Sequence, residues 1–166
     1  MHRTLVLGLA VLGGGLHPAA RADHFAIDLK VQVGKASQSA TADVAAVGRK
    51  PKPRPVFPFK AGESVTVRWE LRSTAAKETV KDVVVHLVVV KEDQVGSAAP
   101  SKREQDVVVE TALNMDFKPK DKAQGELSFV IPRAGNYLLR LETRGAAVGA
   151  DGHEHFAAID LVVLGQ

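Results

Sequence analysis

The chain has no cysteine, one tryptophan, one tyrosine and two methionines in 166 residues. Without cysteine there is no disulfide staple, no thiol nucleophile, no Cys-based metal site and no lipid attachment at an N-terminal Cys. Also missing are a G-x-S-x-G elbow, an H-E-x-x-H pair and a phosphate-cradling glycine loop, so the common hydrolase, zinc-protease and nucleotide-binding signatures do not apply. No stretch resembles an RNA-binding or helix-turn-helix motif. The longest apolar run, Thr4–Leu16, is too short for the roughly 20 residues that span a bilayer. The chain therefore reads as a non-enzyme, with no nucleic-acid partner and no transmembrane segment after processing.

That first run has a meaning of its own. Met1-His2-Arg3 is a short basic start, Thr4–Leu16 an apolar, Gly-rich centre, and Ala20-Arg21-Ala22 an A-x-A cleavage site. Three consecutive glycines, Gly13 to Gly15, argue against a buried helix, since each costs about 1 kcal/mol relative to Ala. The pattern predicts a signal peptide over residues 1–22, export to the periplasm or cell exterior, and a single domain over 23–166. Losing Arg3 and Arg21 lowers the formal charge from +3 to +1, so the basic composition says little about nucleic acid.

What the chain has in abundance is alternation. In Phe25–Val33 every second residue is apolar (Phe25, Ile27, Leu29, Val31, Val33), the period of a half-buried strand. Ser64–Arg72 repeats the pattern with Val65, Val67, Trp69 and Leu71 inward. Gln105–Phe117 places Val107, Val109, Thr111, Leu113, Met115 and Phe117 on one parity. Asp82–Lys91 is different: valines fill both parities around His86, which predicts a central strand covered on both faces. His86 reads as a buried, hydrogen-bonded residue or as the mark of a pocket. Gly125–Thr143 is a strand, a Pro132–Asn136 corner and a second strand with Tyr137, Leu139 and Leu141 on one face. These elements, with Glu154–Leu164 at the end, predict an all-β antiparallel sandwich of seven to eight strands.

Phe59–Leu71, Gly125–Thr143 and His155–Val163 resemble a bacterial exported immunoglobulin-like or fibronectin-III-like β-sandwich domain. The resemblance implies that Trp69 is a core marker and that Tyr137 forms a tyrosine corner, its hydroxyl bonding back to corner backbone. It also implies a binding or assembly module of the cell envelope, and first and last strands that run alongside each other in parallel. The paired cysteines of antibody-type domains are missing.

Two clusters are candidate sites. Arg49, Lys50, Lys52 and Arg54 lie in a Pro-rich basic connector near residues 49–55, which reads either as a cationic stripe for an anionic envelope polymer or protein, or as a stiff solvated linker. Asp23-His24-Phe25-Ala26-Ile27-Asp28-Leu29 and Glu154–Leu161 are near copies, the second with one extra Ala. With their strands side by side, Asp23, His24, His153, Glu154 and His155 would gather into a copper or zinc site, the histidines outward and the extra Ala a bulge. The alternative is two similar edge strands with polar ends. No cofactor is otherwise implied.

Overall fold

Alternation becomes strands because a pleated chain sends successive side chains to opposite faces. The computed structural model describes residues 25–41, 43–44, 53–75, 77–96, 106–144 and 155–165, and its regular elements are all strands. They are β1 (Phe25–Val33), β2 (Ala36–Thr41), β3 (Asp43–Val44), β4 (Val56–Lys60), β5 (Ser64–Ser73), β6 (Val80–Glu92), β7 (Val107–Phe117), β8 (Lys122–Val130), β9 (Gly135–Arg144) and β10 (His155–Leu164). Two sheets form, one ordered β2-β1-β5-β8 and one ordered β3-β10-β9-β6-β7, with β4 also on β10. The all-β sandwich is thus as expected. The strands are more numerous than seven to eight: the polar Ala36–Thr41 run pairs with β1, and Val56–Lys60 pairs with β10.

The core lies between the sheets. Phe25, Ile27, Leu29 and Val31 face Leu139, Leu141, Ile159 and Leu161 in one buried cluster, closed at the ends by Phe57, Phe59 and Phe117. Phe57 and Phe59 fix β4, which runs parallel to β10 and is the one parallel pairing among the described residues. Trp69 is half-buried against the same core. Opposite it in register stands Gly125, where an added Cβ would lie 2.5 Å from the indole ring, so the ring occupies the space of the missing side chain.

The corner between β8 and β9 carries the chain from one sheet to the other. Ile131 is buried there, and Tyr137 donates its hydroxyl to the Arg133 carbonyl at 2.9 Å. Burial pushes the Tyr137 phenol above its ordinary value, against the opposing charge of Arg133.

The first and last strands do not run alongside each other. β1 pairs with β2 and β5, whereas β10 pairs with β9, β3 and β4 in the opposite sheet. Their starts do meet, but across the core: the Phe25 and His155 rings are 6.0 Å apart and nearly perpendicular. The signal-peptide span lies outside the described residues.

Candidate functional site: a buried charge network on the outer sheet face

The outer face of the six-stranded sheet is where the chain concentrates buried chemistry. β6 supplies Val88, Val90, His86 and Glu92, and β9 supplies Leu138, Arg140, Glu142 and Arg144. β10 supplies Phe156, Ala158 and Asp160. An outer sheet face is ordinarily wet. Here Val88, Val90, Leu138 and Ala158 form a second apolar cluster, with Val107 and Phe156 packed on it. The valine-rich, non-alternating sequence of β6 is the local cause: both its faces are covered.

Glu142 is the centre of one polar group. It is fully buried, and its carboxylate accepts from the His86 Nδ1 side at 2.9 Å and meets Arg140 Nε at 2.6 Å and the Arg144 guanidinium. The other His86 nitrogen, Nε2, lies 2.7 Å from Glu110 on β7. A neutral imidazole has one N–H and can donate to only one of these carboxylates, while the protonated ring donates to both. The Arg140 guanidinium also lies over the Phe156 ring, 4.4 Å from its centroid. Three basic side chains thus surround one buried carboxylate, which offsets the several kcal/mol that desolvating it costs.

Arg54 centres a second group at the opposite end of the apolar strip. Its guanidinium bonds Glu92 at 3.1 Å and lies 2.7 Å from Asp160. Asp160 also accepts from the Gly96 backbone N–H at 3.0 Å, and its own N–H donates to the Pro55 carbonyl at 2.9 Å. Burial raises the Glu92 carboxyl above its ordinary value. Arg54 pulls it back and the Asp160 charge adds to the rise. This group ties the chain entering β4 to the end of β6 and the middle of β10.

The proposed cationic stripe changes accordingly. Arg54 is turned inward onto two acids rather than outward toward an anionic partner. Arg49, Lys50 and Lys52 lie outside the described residues. Of the metal candidates, Asp23, His24, His153 and Glu154 also lie outside them. His155 is described, and it is fully buried on the core face instead of pointing outward. The extra Ala explains this. The register of β10 with β9 runs unbroken from His155 to Val163, so no bulge absorbs the added residue. Ile159, Leu161 and Val163 fix the core parity, and counting back puts His155 inside and Phe156 outside. In β1 the matching Phe25 is inside. No group of three or more potential metal ligands occurs among the described residues.

The sequence reading missed Glu110, Arg140, Glu142, Glu92 and Asp160, which sit at positions that alternation assigns to solvent. The available signal was the uniform apolarity of β6. A central strand covered on both faces draws the outward residues of β9 into burial with it, so the charges among them are paired, whereas Glu110 on the edge strand β7 stays exposed.

No protein-family model matches the chain, and no curated protein sequence matches it. Among solved structures the chain is similar to a family 123 glycoside hydrolase from Clostridium perfringens, with a TM-score of 0.43 and 10% identity over 75% of this chain and 27% of the hydrolase. It is also similar to the C-terminal domain of wzt, with a TM-score of 0.40 and 12% identity over 82% of this chain and 78% of that one. The chain spans about a quarter of the hydrolase's length. Both likenesses concern the fold alone.

Proposed function

We propose that the chain is a non-catalytic binding or structural module of the cell envelope, exported to the periplasm or the cell exterior with a mature start at Asp23. The observation that carries this reading is the division of labour among the charged groups. Those buried on the six-stranded sheet bond to one another and hold strands together. Those on the outer face of the four-stranded sheet form an exposed array. There Arg68 bonds Glu126 and Gln32, Arg72 bonds Asp28 and Glu70, and Thr66 meets Ser128 at 3.1 Å. An exposed lattice of donors and acceptors suits an extended polar polymer or a protein surface, which it would hold by many weak bonds. The leader-like first 22 residues support the location.

Expression of the whole chain in a bacterium, followed by cell fractionation and N-terminal sequencing, tests the location. A processed protein starting at Asp23 outside the cytoplasm is expected, and an unprocessed cytoplasmic protein would overturn it. Retention of the processed chain on immobilised envelope polysaccharide and envelope protein tests the binding. Retention that falls when Arg68 and Arg72 are both changed to Ala supports the exposed face as the surface. Retention indifferent to that change contradicts it.

A further inference from the structure

β7 is the end strand of the six-stranded sheet, and among the described residues it pairs with β6 alone. Such an edge presents unpaired backbone N–H and C=O groups to any second strand. Proteins commonly guard edges with Lys, Pro or brevity. The opposite edge of this sheet follows that practice, since the outer side of β10 is taken by β3 and by the short β4, which carries Pro58 and Lys60. β7 has eleven, with no Lys, Arg or Pro, and exposes Val108 and Leu113. Its two acids do not guard it either. Glu110 is drawn to His86 at 2.7 Å, and Asp116 accepts the Asp82 backbone N–H at 2.9 Å.

We propose that β7 is a self-association edge, pairing antiparallel with β7 of a second copy about a two-fold axis at Ala112. The strand's own pattern selects this occupant. Register with β6 is regular from Val109 to Met115 and shifts at either end, and Ala112 is the midpoint of that regular stretch. Pairing about Ala112 sets Glu110 opposite Asn114, Val109 opposite Met115, and Thr111 opposite Leu113. Every pair keeps the same face, and no like charges oppose each other. An axis at Leu113 would set Glu110 against Asp116, and an axis at Glu110 would set two glutamates together. The small Ala112 leaves room on the axis. The half-covered Leu113 and Met115 gain apolar neighbours, and each six-stranded sheet continues into its copy.

The absence of native cysteine makes a direct test available. Opposed residues of an antiparallel pair have Cβ atoms about 4.5–5.5 Å apart, near enough for a disulfide to form with small backbone adjustment. The purified chain carrying Ala112→Cys should oxidise to a covalent dimer at least about tenfold faster than one carrying Ser39→Cys on the exposed β2 edge, because pairing raises the effective thiol concentration. In sedimentation, the unsubstituted chain should be dimeric at micromolar concentration and the Leu113→Lys chain monomeric with an unchanged far-ultraviolet spectrum. Equal oxidation rates for the two cysteine variants would overturn the proposal, as would a monomer at every concentration. So would a dimer that survives Leu113→Lys. If Leu113→Lys fails to fold, the cysteine comparison decides alone.

Discussion

The two outer sheet faces hold the same ion pair in two settings. Arg140 and Glu142 on the six-stranded sheet meet at 2.6 Å with side chains 13% and 0% exposed. Arg68 and Glu126 on the four-stranded sheet also meet at 2.6 Å, with side chains 53% and 54% exposed. Distance does not separate these pairs; dielectric and solvation do. Water screens the exposed pair and competes for its hydrogen bonds, so its net worth is about 0–1 kcal/mol. The buried pair has given up its water, and each member depends on the other. The difference teaches that charged positions in this chain are read correctly only with the neighbouring strand in view.

The largest expected effect is at Glu142. Glu142→Ala leaves Arg140, Arg144 and His86 without their shared buried carboxylate, and should destabilise the fold by about 3–5 kcal/mol in urea titration. A loss under about 1 kcal/mol would make the two faces equivalent. Next is Leu138→Ala, which removes a fully buried side chain from the outer apolar strip and should cost about 2–5 kcal/mol. A cost near that of an exposed leucine would mean that the strip is wet.

Glu92 sharpens the comparison through pH. Its folded-state carboxyl is raised above the ordinary value of 4.5 mainly by burial. The folded state therefore holds this proton more tightly than the unfolded chain does. The associated stability is fully present below the unfolded value and is lost as pH rises through the raised one. Glu92→Gln keeps a polar partner for Arg54 and removes the titration. The stability of the unsubstituted chain relative to this variant should fall as pH climbs above about 4.5, as two parallel series of thermal melts would record. A pH-independent difference would place Glu92 in water. The smallest effect is expected for Glu126→Ala, at most about 1 kcal/mol and vanishing in molar salt, which shortens the screening length to about 3 Å.

How much of this was legible in the sequence follows from the same contrast. Strict alternation in β1 and β5 exposes one face to water and names the core residues directly. The corner tyrosine was legible too, because Pro132, Gly135 and Tyr137 act locally, and the hydroxyl reaches Arg133 only four residues back. The buried network was not. Arg140 and Glu142 alternate with Leu139 and Leu141 like solvent-facing residues, and their burial depends on β6, some fifty residues earlier in the chain. His155 was misplaced for a related reason. Its near-copy context sets it in the place of His24, outward, but one extra Ala in an unbroken register inverts every face preceding it. Local pattern fixes parity, and long-range pairing decides what each face meets.

A pair of double-mutant cycles, one on Arg140 and Glu142 and one on Arg68 and Glu126, separates burial from distance as the source of ion-pair strength in this chain. The expected coupling is about 1.5–3 kcal/mol for the buried pair and at most about 1 kcal/mol for the exposed one, despite their equal separation. Equal couplings would contradict it and return the outer face of the six-stranded sheet to solvent.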